Sequence, residues 1–200
     1  CGANVECTAE YLLQFAFMGS FYAKKLMGCE APRVGLLNVG TEDTKGGELQ
    51  HQAFALLKKV GEEGRINFIG NVEGTDVFAG KAEVVVTDGF TGNVLLKTTE
   101  GVIKFMMGAL KGVFYKSTVN KLAAAVLKSD LKEMKKSMDV NEVGGTALIG
   151  ISKPVIKAHG SSNAASLFAA VRQAVAFVDS GLIGDINDNI EYMKIKGEQA

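Results

Sequence analysis

Two short stretches of this chain set glycines beside hydroxyl, amide and carboxylate side chains where an apolar run gives way to a helical one. Residues 84–98 read VVVTDGFTGNVLLKT. An apolar run of strand type leads into Asp88, Gly89, Phe90, Thr91, Gly92 and Asn93, and a helical pattern follows. Glycine lets the backbone turn tightly and lets a ligand come close, while Thr91 or Asn93 at a helix start can cap amides that also suit an anion. The second stretch follows the short apolar run PVIKA at residues 154–158, where His159, Gly160, Ser161 and Ser162 lead into a helical run over 163–178. The ligand to expect at such turns is a phosphate or an oxyanion. In an open α/β sheet ligands gather outside the carboxyl ends of the strands, so two donor-rich turns at that edge could share one phosphate.

The elements that must position these turns follow from periodicity. Thr8 caps a helix over residues 9–27, with Leu12, Phe15, Ala16, Gly19, Tyr22 and Leu26 at helical spacing and Gly28 as the stop. A strand over 34–39 (VGLLNV), a loop over 40–47 and a helix over 48–60 come next, then a strand over 66–70 (INFIG). A short helical or irregular link over 75–79 precedes the strand over 83–87. This alternation predicts an α/β fold, a mostly parallel sheet between two layers of helices. From Val94 the pattern changes: helical runs over 94–115 and 119–138 are separated only by Lys116, Ser117 and Thr118. They predict a protruding antiparallel helical hairpin whose seam includes Phe105, Met106, Leu110, Leu122 and Val126. Such an excursion buries its seam against a partner, which predicts a homodimer; the plainer alternative is two helices packed on the common core. The tip mixes Val113, Phe114, Tyr115 and Val119 with Lys111, Lys116 and Lys121, a composition suited to an anionic membrane surface.

Length and composition fit one α/β domain over residues 1–200: 47% of the residues are hydrophobic, 22% are charged, and the formal net charge is zero. Nothing suggests nucleic acid, because no basic cluster is interleaved with aromatics. No run reaches the roughly 18 apolar residues of a membrane span. Cys1, Cys7 and Cys29 lack metal-ligand spacing, so a reducing compartment, no cofactor and no metal are expected. The chain opens at Cys1 on a small-residue segment that looks like the end of a strand, so a C-terminal fragment of a longer chain is expected.

Several blocks resemble the PlsX-type bacterial phosphate acyltransferases: GANV at the start, APRVGLLNVGTEDTKGGEL, FIGNVEG, VVVTDGFTGNVLLKTTEG, GGTALIG and KPVIKAHGSSNA. The likeness runs from Gly2 to about Val178 with the blocks in order. It implies an α/β/α fold related to isocitrate dehydrogenases and phosphotransacetylases, a homodimer, and a cytoplasmic enzyme associated peripherally with the inner face of the membrane. The implied reaction moves a fatty acyl group from acyl carrier protein to inorganic phosphate, giving acyl phosphate for phospholipid synthesis.

Phosphate is already a nucleophilic anion, so this chemistry requires donors and no Ser-His-Asp machinery. A few amides and one cation suffice to hold the phosphate, with an ammonium or amide for the thioester oxygen as it becomes an oxyanion. Lys45, in a glycine-flanked loop after a strand, matches the lysine of the family's GTED-x-KG segment; Asn93 matches the asparagine of DGF-x-GN, as amide donor, helix cap or both. Asp88 either orients a donor such as Lys45 or caps its own turn. Gly89, Thr91 and Gly92 complete that turn, and His159, Gly160, Ser161 and Ser162 match the family's HGSS segment as a second half of the phosphate cradle, with His159 in a positioning role. Glu42 and Asp43 have the wrong sign for phosphate and either hold Lys45 or face water, and His51 reads as a surface residue. Other readings stay open: a phosphotransacetylase-like enzyme acting on acyl-coenzyme A, or an inactive fragment that dimerises and docks on membranes. A dehydrogenase of the related fold is disfavoured, since no Gly-x-Gly-x-x-Gly turn with an acidic residue beyond it is present.

Overall fold

The computed structural model describes residues 4–137, 145–158 and 162–194. Helix α1 spans Ala9–Leu26. Thr8 sets its start, the hydroxyl oxygen accepting from the Tyr11 amide at 3.4 Å, and the Cys29 amide closes its end by donating back past Gly28 to the Ala23 carbonyl. Leu12, Leu13, Ala16, Phe17 and Ala23 form its buried face. That spacing is the apolar stripe an amphipathic helix turns toward a core.

Strands β1 (Arg33–Leu37), β2 (Asn67–Val72) and β3 (Val84–Val86) form a parallel sheet in the order β2-β1-β3. Val34, Leu36 and Leu37 of the central strand are all buried, as expected where both faces of a parallel sheet are covered. Helices α2 (Glu48–Glu62) and α3 (Gly74–Phe78) make the crossovers. Because the strands run the same way, the loops after β1, β2 and β3 leave one edge of the sheet, where ligands of such folds collect.

Gly70 departs from the expectation that the second strand ends there. Its φ of +94° marks a bulge: Val34 pairs with Phe68, yet Leu36 pairs with Asn71, so three steps along β2 face two along β1. The ladder continues to Val72, and beyond the bulge Asn71 and Val72 are 5% and 3% exposed. At the opposite edge, Arg33 grips Glu83 through its backbone amide at 2.8 Å and Nε at 3.0 Å, tying β1 to the start of β3. Arg65 ties the end of the chain to the same body. Its guanidinium lies 5.1 Å from the Phe17 ring centre and 4.6 Å from that of Tyr192, and Nη2 donates to the Lys194 carbonyl at 3.2 Å.

The chain divides into two compact units, the first comprising Cys1–Asn93, Ile149–Pro154 and Ala176–Ala200 and the second Val94–Leu148 and Val155–Val175. The second holds most of helix α4 (Gly89–Tyr115), then α5 (Thr118–Val126), α6 (Lys128–Ser137), strands β4 (Gly145–Ala147) and β5 (Ile156–Ala158), and most of α7 (Ala164–Asp179). Three expectations are corrected here. Helix α4 begins at Gly89, five residues before Val94, because glycines at 89 and 92 enter a helix once a cap precedes them. The run expected as one helix over 119–138 breaks at Leu127, where the Ser129 hydroxyl and Asp130 supply the polar first turn of a new helix. Met138 lies outside the described residues. The strand expected over 154–158 is confined to Ile156–Ala158 and pairs antiparallel with β4, so the parallel pattern does not extend to it.

Phe105, Met106, Leu122 and Val126, the expected seam, are 62–81% exposed. Ser117 caps α5 by accepting from the Asn120 amide at 3.1 Å, and Asn120 Nδ2 donates to the Val113 carbonyl at 2.7 Å, which stitches the α4–α5 turn. Helix α8 (Leu182–Asp188) and a 3-10 turn (Glu191–Met193), neither expected from periodicity, close the first unit. Among the described residues no single helix is long and apolar enough to cross a membrane, although α7 and α8 reach that length and composition together across a 43° bend.

Candidate active site at the carboxyl edge of the parallel sheet

At the end of β3, Asp88 is 7% exposed and caps α4. One carboxylate oxygen accepts from the Thr91 amide and the other from the Thr91 hydroxyl, each at 2.7 Å, while the Gly92 amide donates to the Asp88 carbonyl at 3.1 Å. This corrects the reading of Thr91 or Asn93 as the cap: the carboxylate reaches two donors from one position and carries the charge that a helix N-terminus favours. Both carboxylate oxygens are engaged by Thr91, and among the described residues Asp88 makes no ion pair with Lys45. The Gly89 amide is held by the Asn4 carbonyl at 2.7 Å, so the N-terminal segment closes over the turn. Gly89 and Gly92 are buried, whereas Asn93 lies in the second turn of α4 with its side chain exposed. Asn93 is therefore not the cap of α4.

The neighbouring loop, after β1, carries Lys45. The residue is exposed, and among the described residues its ammonium makes no ion pair. Its aliphatic stem folds over Gly40, where an added Cβ would meet Lys45 Cγ at 2.9 Å. Asp43 is paired with Lys58 at 3.3 Å, so it does not hold Lys45. The loop itself is held by Asn38 and Asn71, which were not expected at the site, and by His51, expected only as a surface residue. Asn38 Nδ2 donates to the Lys45 carbonyl at 2.9 Å, Asn71 Nδ2 donates to the Glu42 carbonyl at 2.9 Å, and His51 Nε2 lies 3.0 Å from the Thr44 carbonyl and so carries the proton there. His51 is exposed as expected, yet its ring is a tether. A signal for Asn38 existed, an asparagine closing an apolar strand just before a glycine loop; for Asn71 the only hint was a glycine inside a strand pattern.

The first unit thus presents, on adjacent loops of one sheet edge, an uncommitted ammonium and a helix N-terminus whose cap is satisfied internally. The Gly89, Thr91 and Gly92 amides are already engaged by Asn4 and Asp88, so what this edge offers a phosphate or a developing oxyanion is chiefly the Lys45 ammonium and the positive end of the α4 dipole. A thiol stands at the same turn, with Cys7 Sγ donating to the Asn4 carbonyl at 3.4 Å. Burial pushes this thiol above its ordinary range and the Asp88 carboxylate pushes it the same way, against the Gly89 amide. A thiol held protonated is a poor nucleophile.

Residues 1–184 match the family described as fatty acid synthesis protein. The chain belongs to this family. It is 48% identical to the phosphate acyltransferase of Lysinibacillus sphaericus (strain C3-41) over 194 residues, 97% of this chain and 58% of that protein. It is 53% identical over 190 residues to the phosphate acyltransferases of Geobacillus sp. (strain WCH70) and Bacillus cereus (strain B4264), covering 95% of this chain and 56% of each. The chain therefore spans a little under three-fifths of the length of these relatives. The stretch matched to the fatty acid synthesis protein family contains both glycine-rich turns and the Lys45 loop.

Of the second turn, His159, Gly160 and Ser161 lie outside the described residues. Ser162 belongs to the second unit, where its hydroxyl is buried without a hydrogen-bond partner among the described residues. The tip residues Val113, Tyr115 and Val119 are 57%, 66% and 74% exposed and Phe114 is half-buried. The first unit also contains a cavity of about 400 Å³ lined by Met18, Ile151, Ile186, Ile190 and Met193 with Gln14. None of the site residues expected from the sequence lines it.

Proposed function

We propose that this chain belongs to an enzyme that transfers a fatty acyl group from acyl carrier protein to inorganic phosphate, giving an acyl phosphate for phospholipid synthesis. The observation that carries this reading is the extent of the likeness, about half of the residues identical over 95% or more of the chain, to proteins named phosphate acyltransferase. The carboxyl-edge geometry supplies a matching chemistry. A phosphate oxygen attacks the thioester carbonyl, a tetrahedral oxyanion forms, and its collapse breaks the carbon–sulfur bond and expels the carrier's thiolate. Lys45 supplies the positive charge for phosphate and oxyanion, and the Asn93 amide donates to the reacting oxygen. Asp88 fixes the first turn of α4 through Thr91, so that Gly89 and Gly92 keep the backbone close to the ligand.

Two further parts of the proposal concern assembly. The exposed apolar residues of α4 and α5 form the seam of a homodimer. At the α4–α5 turn, Lys111 and Lys121 lie 5.8 and 6.0 Å from the Tyr115 ring centre, so cations flank exposed apolar side chains as at a peripheral contact with an anionic membrane. A cytoplasmic enzyme docked on the inner face of the membrane follows.

The test is phosphate-dependent release of free acyl carrier protein from a long-chain acyl carrier protein thioester, with acyl phosphate trapped by hydroxylamine. Turnover that requires phosphate and yields the hydroxamate is expected. A folded protein that releases no carrier, or that uses acyl-coenzyme A and ignores the carrier-bound substrate, refutes the reading.

A further inference from the structure

We infer that Asn38 and Asn71 are positioning residues for the reaction, acting through the backbone of the Lys45 loop to hold the cation in place; this rests on the proposed acyl transfer to phosphate. Three successive tethers immobilise the loop between β1 and α2. Asn71 from β2 binds the carbonyl of Glu42, His51 from α2 binds that of Thr44, and Asn38 at the end of β1 binds that of Lys45 itself. Asn38 does more than one task. Its Oδ1 accepts from the Val39 amide at 2.8 Å while its Nδ2 holds Lys45, so one side chain joins the entry and the exit of the loop. Gly46, at φ +98°, packs directly against it: an added Cβ would lie 2.8 Å from Asn38 Oδ1.

Two consequences follow for an anion. A carbonyl oxygen engaged by a side-chain amide or imidazole offers less negative potential to repel an anion, and the Glu42, Thr44 and Lys45 carbonyls of this loop are all engaged in this way. The Lys45 backbone is fixed, so only side-chain torsions remain to be ordered when phosphate arrives. A catalytic group misplaced by about 1 Å can cost on the order of 10²-fold in rate, so the fixing matters.

Asn71 argues that this arrangement serves the site more than the fold. It is 5% exposed and its Oδ1 has no hydrogen-bond partner among the described residues, a burial that works against stability. An aliphatic residue there would pack without an orphaned acceptor. The Gly70 bulge leads into this position and so brings the Nδ2 donor to Glu42; bulges beside active sites re-aim side chains in this way.

The experiment is a pair of double-mutant cycles, Asn38→Ala and Asn71→Leu, each made alone and with Lys45→Ala. They are read by phosphate-dependent carrier release, with kcat and KM for phosphate separated, and in parallel by calorimetric binding of inorganic phosphate. Each asparagine variant alone is expected to lose about 10-fold in kcat/KM, the equivalent of one hydrogen bond's contribution, and less than about 2-fold when Lys45 is already alanine. Asn71→Leu is expected to melt no lower than the wild type, which separates the loss from unfolding even if Asn38→Ala is unstable. Losses that multiply fully with Lys45→Ala, or an Asn71→Leu protein with wild-type kinetics, overturn the inference. If the wild type shows no turnover, the acyl-transfer reading falls by itself, and the same cycle in phosphate affinity still decides whether the asparagines act through Lys45.

Discussion

Asp88 offers the sharpest separation between a catalytic carboxylate and a structural one. Its two oxygens take the amide and the hydroxyl of Thr91, both at 2.7 Å, and it is 7% exposed. Replacement by alanine deletes both bonds and leaves the first turn of α4 uncapped. Loss of an N-cap costs about 0.5–2 kcal/mol, and the burial and charge of this one place it near the upper end, about 2 kcal/mol. For a protein of this size that corresponds to a fall of roughly 4–8 °C in melting temperature. Asparagine should behave differently, since its Oδ1 accepts from the Thr91 amide and the Thr91 hydroxyl can rotate to accept from Nδ2. We expect Asp88→Asn to keep most of the stability, within about 1 kcal/mol, and to bind phosphate at least as well as the wild type, because a negative charge beside the anion is gone. Denaturant unfolding and the phosphate KM read both quantities. If Asp88→Ala unfolds at the wild-type midpoint, or if Asp88→Asn is as inactive as a loss of Lys45 while still folded, the carboxylate is not acting as a cap.

Lys45→Ala is expected to lower turnover by ~10²–10³ with the melting temperature unchanged, the range seen when one oxyanion donor is lost; wild-type turnover removes it from the mechanism. Replacing Phe114 and Val119 by Asp at the α4–α5 turn should weaken binding to vesicles rich in anionic lipid by at least ~10²-fold, each buried apolar side chain contributing about 1.5 kcal/mol or more. Turnover on soluble substrate should be spared, and unchanged vesicle binding rules out the tip as the contact. The Arg33 guanidinium holds the Glu83 carboxyl down at about 2 from its ordinary 4.5. Because the folded value is the lower one, the contribution to stability is present above 4.5 and is lost as the pH falls toward 2. Glu83→Gln should therefore melt below the wild type at pH 7 and converge with it near pH 2, and a gap that stays constant across that range contradicts the assignment.

What was legible in the sequence is what is decided within a turn or two of chain. Thr8 as the first cap, the apolar runs that became β1, β2 and β3, and the glycine-flanked loop with its lysine all rest on local spacing. The misreadings share a cause. Thr91 and Asn93 looked like caps because both residue types suit that role, but three candidates stood within six residues and only geometry shows that Asp88 reaches two donors at once. Gly70 looked like the end of a strand because a glycine in a strand pattern marks either a stop or a bulge, and the choice is made by the register with β1. The tethers were out of reach altogether: Asn71 meets Glu42 across 29 residues of chain, and Arg65 meets Lys194 across 129.

This division bears on how the site itself is built. A lysine in a glycine loop is an ordinary surface charge, and only its lack of an ion pair among the described residues, the fixing of its carbonyl by Asn38 and its place in the loop after β1, the strand beside β3 and the Asp88 turn, make it a candidate for catalysis. Residue type is local information, whereas position depends on pairings between β1, β2 and α2 that form only when the sheet forms. On the proposed reading, side chains that touch no substrate decide whether Lys45 is a solvated charge or an oxyanion donor. A change at Asn71, buried and remote in sequence, should be felt in the kinetics before it is felt in the fold.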